Sequence, residues 1–212
     1  MPSKWTDIYR IAKKNNIVLI NDCCHALGSA IKKNTKYAIK YADFVSFSFH
    51  PVKTITTGEG GAILTNNSQI DKKLKILRTQ GIQKDNFKSL WKYEVKYLSF
   101  NYRISDIQCA LGISQLKKIN TFVKKRRKIA NLYNKNLSKI SNIELPNNRE
   151  NIVNSYHLYP IKVKFKNLSI KKNEFFKILL KNKIKLQVHY IPIYRHLIYK
   201  KKFNLKSNAF PS

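Results

Sequence analysis

Three short apolar runs constrain the fold of this chain more than any other feature of its sequence. They lie at residues 17–20, 44–49 and 62–65. Continuous runs of this length are typical of strands in a parallel sheet, because both faces of such a strand are covered. Apolar residues with helical spacing occupy the neighbouring segments 3–15 and 68–79. Strands that alternate with helices predict an α/β fold.

The second half of the chain has a different pattern. Apolar residues keep a helical spacing through residues 105–138, which predicts one long helix or two joined helices. Beyond residue 146 we expect an α+β unit with two strands and one helix, at 158–165, 186–191 and 172–181. We therefore expect part of a large domain over residues 1–145, including the long connecting helix, and part of a smaller domain over residues 146–212.

The charge of the chain is strongly basic, with 42 Lys and Arg residues against 11 Asp and Glu residues and a net charge of +31. Such a surface attracts phosphate, so nucleic-acid binding is one interpretation. The lysines, however, are spread along the whole chain, and arginine, the usual reader of bases, is scarce. We interpret the dense cluster at 124–128 (KKRRK) as a solvated helix face and expect no specific nucleic-acid partner. The charge should still attract anionic ligands, including sugar nucleotides.

Membrane insertion and secretion are not expected from this sequence. It has no apolar run of about 18 residues, and its first residues lack the apolar core of a signal peptide. Cys23, Cys24 and Cys109 are too few for a disulfide framework and lack zinc-finger spacing. The sequence therefore predicts a reduced, cytoplasmic protein with no metal site.

Asp22, Ser48 and Lys53 are the residues that suggest a chemistry. Asp22 follows an expected strand at its carboxyl end, where open α/β sheets bind ligands. Lys53 follows the next strand, just before the glycine-rich turn 56–61. Each residue alone has an ordinary explanation, as a helix cap, a strand-end cap or a surface lysine. Together they indicate pyridoxal phosphate, which needs a lysine for its carbonyl carbon, a carboxylate for its ring nitrogen and donors for its phosphate.

Six motifs resemble those of the DegT/StrS-type sugar-nucleotide aminotransferases, a family that depends on pyridoxal phosphate. In chain order they are DCCHALG (22–28), SFHPVK (48–53), TGEGG (57–61), NYR (101–103), QCALGISQL (108–116) and VHYIP (188–192). The sequences SFHPVK and QVHYIP are most similar to those of the branch that serves pseudaminic acid biosynthesis. The resemblance to that branch implies amination of the C4 ketone of a UDP-linked 4-keto-6-deoxy-N-acetylhexosamine, with L-glutamate as the amino donor.

The resemblance also implies a fold and a set of cofactor-binding residues. The fold is that of fold type I pyridoxal-phosphate enzymes, which are similar to aspartate aminotransferase. Lys53 would bind the cofactor and move the proton in the reaction, Asp22 would pair with the ring nitrogen, and Ser48 would bind the phosphate. His25 would contact the ring or its 3-oxygen, although a satisfied core histidine is the alternative.

Further residues are implied for the partner subunit and for the substrate. Asn101 resembles the family asparagine that reaches the phosphate of the partner subunit's cofactor, which implies a homodimer with shared active sites. His189 and Tyr190 match a region of the small domain that lines the sugar-nucleotide cleft. The alternatives to an aminotransferase are a non-catalytic relic of the same fold and a basic nucleic-acid-binding protein.

Members of this family are considerably longer than 212 residues. We therefore expect this chain to be a fragment that lacks an N-terminal part and the C-terminal end. Strands missing from the sheet would leave its edges unpaired, which predicts poor solubility when the chain is expressed alone.

Overall fold

Helices and short strands alternate along the chain, which the computed structural model describes at residues 5–84, 89, 91–147 and 151–203. The helices are α1 Trp5–Lys14, α2 Tyr37–Lys40, α3 Ser68–Arg78, α4 Asp106–Lys117, α5 Ile119–Leu137, α6 Lys172–Lys181 and α7 Leu197–Phe203. The strands are β1 Ile20–Asp22, β2 Ala30–Ile31, β3 Phe44–Ser48, β4 Gly61–Leu64, β5 Ile82–Lys84, β6 Tyr93–Val95, β7 Ile143–Glu144, β8 Ile152–Val153 and β9 Lys162–Val163. None of the described helices combines the length and the apolar character that a membrane crossing needs.

A three-stranded sheet of order β1-β3-β4 positions the candidate site. β1 runs parallel to β3, with Asp22 opposite Ser46. β4 runs antiparallel to β3, with Ser48 opposite Gly61, so the expectation of a parallel strand at 62–65 is wrong. Residues that face each other across neighbouring strands, and residues two apart on one strand, lie on the same face of a sheet. Asp22, Ser46 and Ser48 therefore share one face.

The opposite face of this sheet carries the core. Val45 and Cys23 are buried there against Tyr37 and Ala38 of α2. Partly buried residues complete the cluster, namely Trp5, Ala26, Ile31, Ile39, Ala42 and Phe47. The core thus lies on the side of the sheet away from Asp22.

The first strand differs from the one expected at 17–20. β1 begins at Ile20 and ends at Asp22. The backbone N–H of Leu19 donates instead to the Asp43 carboxylate at 2.8 Å. The apolar side chains of this run are largely exposed, at 55% for Ile17, 62% for Val18 and 67% for Ile20. The prediction of a buried strand over 17–20 is therefore wrong, because the polar residue Asn21 occupies the buried position, at 3% exposed.

The segment 105–138 forms two joined helices, α4 and α5, rather than one long helix. The sequence predicted one of these two arrangements, and the structure confirms the second. Ser105 caps α4, since its side chain accepts from the backbone N–H of Gln108 while the Gln108 side chain accepts from the backbone N–H of Ser105. α5 buries Val123 and Ala130. Arg126 lies on the same side of the helix and is half-buried, so the interpretation of 124–128 as a wholly solvated face is wrong at this residue.

The chain divides into two compact units. The first contains residues 1–136 and 146–159, and the second contains residues 137–145 and 160–212. The expected domain boundary at residue 145 stays a prediction, and the compact units differ from it because 146–159 return to the first unit.

The second unit contains less strand structure than the sequence pattern predicted. β7 pairs antiparallel with β9, and the Phe165 ring meets the Phe175 ring of α6 edge to face at 5.5 Å. The strand expected at 158–165 is reduced to β9, because Pro160 has no N–H to donate to a sheet. The segment expected to form a strand at 186–191 is irregular, with its apolar side chains largely exposed.

Candidate active site

The carboxylate of Asp22 lies at the carboxyl end of β1 and is held by Cys24. The backbone N–H of Cys24 donates to Asp22 Oδ1 at 2.9 Å. The hydrogen bonds from the thiol and the N–H of Cys24 lower the pKa of Asp22, and each of them outweighs the opposing effect of burial. Smaller electrostatic effects of His25 and Lys53 also lower this pKa. Asp22 is therefore ionised at neutral pH, which is the state needed to keep a pyridine nitrogen protonated.

Cys24 connects Asp22 to the neighbouring strand. Burial raises the pKa of the Cys24 thiol, as do its hydrogen bond with Asp22 and the charge of that carboxylate. A hydrogen bond with Ser46 and the charge of Lys53 oppose this rise. The thiol therefore stays protonated at neutral pH and can donate to Asp22. Asp22, Cys24, Ser46 and Lys53 form one electrostatic cluster.

Lys53 lies in a loop of fixed conformation that follows β3. Its backbone N–H donates to the carbonyl of His50 at 2.9 Å. Phe49 holds both ends of the loop, because its N–H donates to Gly60 O at 2.8 Å and its carbonyl accepts from the Thr57 N–H at 3.0 Å. Three side chains of the loop are buried, namely Thr54, Ile55 and Thr57. The Lys53 side chain itself is half-buried, with its charge close enough to act on both Asp22 and Cys24.

Helix α4 fastens this loop from outside. Gln108 Nε2 donates to the carbonyl of Glu59 at 2.9 Å. Thr57 Oγ1 donates to the same carbonyl at 2.8 Å. A Cβ atom at Gly112 would lie 2.9 Å from Thr57 Cγ2, so α4 approaches the loop closely at a residue without a side chain. Helix α4 therefore holds the end of the loop that follows Lys53.

Ser48 is the last residue of β3, on the sheet face shared with Asp22 and Ser46. Its Oγ accepts a 3.4 Å hydrogen bond from the His50 backbone N–H, and its side chain is half-buried. The hydroxyl is thus oriented at the strand end, five residues before Lys53.

His25 lies in the turn that follows β1 and is exposed. Its ring centroid is 4.2 Å from that of His157, with an angle of 45° between the ring planes. The turn presses against α5 at Gly28, where φ is +83° and a Cβ atom would lie 2.6 Å from Val123 Cγ2. Only glycine combines this backbone conformation with this approach.

The remaining expected site residues make local contacts of their own. Asn101 is exposed and pairs with Thr79 in an isolated bridge, and its Oδ1 accepts from the Arg103 N–H at 3.2 Å. His189 and Tyr190 are exposed residues of the second unit, with ring centroids 4.1 Å apart. The structure thus gathers Asp22, His25, Ser48 and Lys53 at one end of the sheet and leaves the roles of Asn101, His189 and Tyr190 as predictions.

The sequence pattern assigned no individual role to four residues that contact this region. They are Cys24, Ser46, Gln108 and His157. Ser46 could have been found from the two-residue alternation of a strand, which places it on the face of Ser48. The contacts of Gln108 and His157 join segments far apart in the chain, and nothing in the local pattern signals them.

The donor set of this region fits pyridoxal phosphate. It supplies an ionised carboxylate, a lysine amine and strand-end hydroxyls at one edge of a sheet. The carboxylate can pair with the ring nitrogen, the amine can bond to the carbonyl carbon, and the hydroxyls can donate to the phosphate. The chain therefore carries the residues that such a cofactor requires on this side.

Comparison with known proteins identifies the family. Residues 2–212 match the sequence profile of the DegT/DnrJ/EryC1/StrS aminotransferase family. The UDP-4-amino-4,6-dideoxy-N-acetyl-beta-L-altrosamine transaminase of Campylobacter jejuni is 46% identical over 198 residues, which are 92% of this chain and 50% of that protein. The chain spans about half the length of the curated relatives it matches.

Solved structures give the same result and confirm the predicted fold class. PseC of Helicobacter pylori, an aminotransferase involved in the biosynthesis of pseudoaminic acid, superimposes with a TM-score of 0.86 at 35% identity, over 97% of this chain and 54% of PseC. A Streptococcus pneumoniae protein described as a sugar aminotransferase, in its pyridoxal-phosphate form, has a TM-score of 0.84 at 26% identity, over 99% of this chain and 57% of that protein. This chain belongs to the DegT/DnrJ/EryC1/StrS aminotransferase family, whose members depend on pyridoxal phosphate.

Proposed function

We propose that this protein is a sugar-nucleotide aminotransferase. It would move an amino group from L-glutamate to the C4 ketone of a UDP-linked 4-keto-6-deoxy-N-acetylhexosamine, for pseudaminic acid or a related surface sugar. The observation that carries the proposal is the placement of Lys53 beside the ionised Asp22 and the hydroxyls of β3. The names of the relatives from Campylobacter jejuni and Helicobacter pylori support the choice of sugar.

The residues of the chain divide the chemistry among them. Pyridoxal phosphate, when bound, supplies an electron sink for the bond that breaks at the substrate carbon. Lys53 Nζ would hold the cofactor at its carbonyl carbon, and the free amine would act as the base that moves the proton at the substrate carbon that carries the amino group. The Asp22 carboxylate would keep the ring nitrogen protonated, and the Ser48 hydroxyl would orient the phosphate. His25 lies close enough to Asp22 to help lower the pKa of that carboxylate, which fits a contact with the ring.

We further propose that the site is completed in a homodimer. Asn101 would reach the cofactor phosphate of the other subunit. Large apolar side chains on either side of it are exposed, at 96% for Leu98, 67% for Phe100, 63% for Tyr102 and 84% for Ile107. Several large apolar side chains exposed within ten residues of sequence support the proposal that a partner covers this segment.

His189 and Tyr190 are proposed to contact the sugar nucleotide. Both are exposed, so both are accessible to a ligand. The net charge of +31 would favour the approach of a nucleotide diphosphate from solution. We also propose a cytoplasmic location, because nucleotide sugars are made in the cytoplasm.

The amino donor can be tested in a half reaction that needs no sugar. The purified protein is incubated with pyridoxal phosphate and L-glutamate, and 2-oxoglutarate and pyridoxamine phosphate are measured together. We expect both products in equal amounts, no reaction in Lys53→Ala, and an unchanged yield in Lys75→Ala, which removes an exposed lysine of α3. A folded wild-type protein that forms neither product would contradict the proposal and favour a non-catalytic relic of the fold.

A further inference from the structure

A segment late in the first unit returns to the turn that carries His25. The return segment, residues 154–157, follows β8, which pairs antiparallel with β2. Ser155 of this segment is fully buried. Ser29 Oγ donates to Ser155 Oγ at 2.9 Å, and the Ser155 N–H donates back to Ser29 Oγ at 3.1 Å, across 126 residues of sequence. Buried hydrogen bonds of this kind fix the segment against the turn.

Two contacts connect the return segment to His25 itself. Ser155 Oγ donates to the His25 carbonyl at 3.4 Å, which restrains the backbone of His25. The ring of His157 lies 4.2 Å from the ring of His25, which restrains its side chain. Aromatic rings in contact favour particular orientations relative to each other. Because His25 is exposed, the return segment limits the freedom its side chain would otherwise have.

Arg126 holds His157 in turn. Its Nη1 donates to the carbonyls of Tyr156 at 3.2 Å and His157 at 3.4 Å. Hydrogen bonds from a charged donor are among the stronger ones in proteins. The half-buried guanidinium therefore has a definite structural partner in the return segment.

We infer that His157 is a positioning residue for His25. Its ring keeps the His25 imidazole oriented beside the end of β1, so that His25 meets the cofactor already ordered rather than losing its freedom on binding. This role rests on the proposed function, since it gives His25 a contact with pyridoxal phosphate. The packing of the two rings is a property of the protein without cofactor and can be measured separately.

The test uses the full chain with ¹⁵N-labelled histidine. The imidazole signals of His25 are recorded without cofactor in the wild type, His157→Ala, His157→Phe and the control Tyr159→Phe. Tyr159 donates to Asn134 Oδ1 from the residues just beyond the return segment, so its variant removes a nearby contact that does not involve His25. If His157→Ala does not fold, His157→Leu replaces it, because leucine fills the space without an aromatic ring.

We expect the His25 signal to shift and broaden in His157→Ala and to stay close to the wild type in His157→Phe and Tyr159→Phe. With pyridoxal phosphate, the dissociation constant should rise about two- to tenfold in His157→Ala, the range that the loss of one aromatic contact produces. An unchanged His25 signal in a folded His157→Ala or His157→Leu chain overturns the inference. A wild type that fails to bind the cofactor at Lys53 overturns the proposed function instead, and the cofactor-free spectra still decide whether His157 orders His25.

Discussion

Asp22 and Ser46 face each other on the parallel strands β1 and β3, and Cys24 hydrogen-bonds with both side chains. This arrangement places an ionised carboxylate at the edge of the sheet where the loop of Lys53 begins. The separation of core and site follows from the same register, because Val45 and Cys23 point to the other face.

Replacing Asp22 with asparagine tests the role of the carboxylate. Asp22→Asn keeps the shape but removes the charge that would hold the proton on the ring nitrogen. Transamination should fall about 10- to 100-fold, since a hydrogen bond to a charged group is worth ~1.5–3 kcal/mol and ~1.4 kcal/mol is tenfold in rate. The rate of the half reaction with L-glutamate measures this. The control Asp71→Asn loses only an exposed pair with Lys75 and should keep the wild-type rate, whereas equal rates in both variants would remove Asp22 from the chemistry.

Gln108 has two hydrogen-bonding tasks that can be separated by one substitution. Its Oε1 accepts from the Ser105 N–H in the cap of α4, and its Nε2 donates to the Glu59 carbonyl. Gln108→Glu keeps the cap acceptor and removes the donor, so α4 should remain while the loop of Lys53 loosens.

Amide hydrogen exchange measures this loosening. Peptides that cover residues 49–60 should exchange faster in Gln108→Glu. The matched variant Ser105→Ala weakens the cap, at a cost of about 0.5–2 kcal/mol, and leaves the donor to Glu59 in place. Faster exchange of 49–60 in Ser105→Ala but not in Gln108→Glu would show that the Glu59 contact does not hold the loop.

Alanine substitutions at Gly28 and Gly58 test how tightly the turn after β1 packs against α5. Both have a positive φ, +83° and +81°, but only Gly28 has a neighbour that a Cβ atom would strike, Val123 Cγ2 at 2.6 Å. Gly28→Ala should therefore lower the free energy of unfolding by about 1–3 kcal/mol more than Gly58→Ala does. Urea denaturation gives both values. Val123→Ala should recover part of the loss when combined with Gly28→Ala, and equal losses in the two single variants would mean that the turn does not press on α5.

The buried side chains of Cys23 and Tyr37 should make the protein less stable at alkaline pH. Burial raises the pKa of Cys23 from the ordinary 9.0 of a thiol to about 11. It raises the pKa of Tyr37 from 10.0 to about 12. Both groups are buried in the protonated form, so their contribution is complete below the unfolded-state values and is lost as the pH rises through the folded-state values. The free energy of unfolding should thus decline above pH 9.0.

Cys23→Ala checks the share of the thiol in this decline. The variant should be less sensitive to pH between 9.0 and 11, while the loss attributed to Tyr37 remains between 10.0 and 12. Denaturation with urea at a series of pH values provides the curves. Wild-type and variant curves of the same slope over the lower interval would contradict the assignment.

The sequence predicted the elements of this fold better than their exposure. α1, α3, α6 and the α4–α5 pair lie where helical spacing places them, because that spacing repeats over several turns. The run 17–20 misled, since three-residue strands leave too few positions to fix the register, and Asn21 rather than the apolar residues faces the core. In the second unit, apolar and polar residues alternate at 186–191 as they do in a half-buried strand. A strand also needs a neighbouring strand to pair with, and the alternation does not supply one.

The candidate site divides in the same way. The positions of Asp22, Ser48 and Lys53 at or just after strand ends were predictable, because each stands in a local motif, while their roles stay predictions. His157 and Arg126 were not, because their contacts with the turn of His25 and with the return segment exist only after distant parts of the chain come together. Arg126 is one of five consecutive basic residues, and only its place between Val123 and Ala130 on α5 distinguishes it.

The attachment of pyridoxal phosphate to Lys53 is the central claim, and borohydride trapping measures it directly. The purified chain is incubated with pyridoxal phosphate, reduced and digested, and the pyridoxyl group is located by mass spectrometry, with Lys53→Arg as the control. We predict selective labelling of the peptide that contains Lys53, weak labelling of other lysines, and loss of the selective signal in Lys53→Arg. Uniform or absent labelling of a folded wild-type protein would contradict the account.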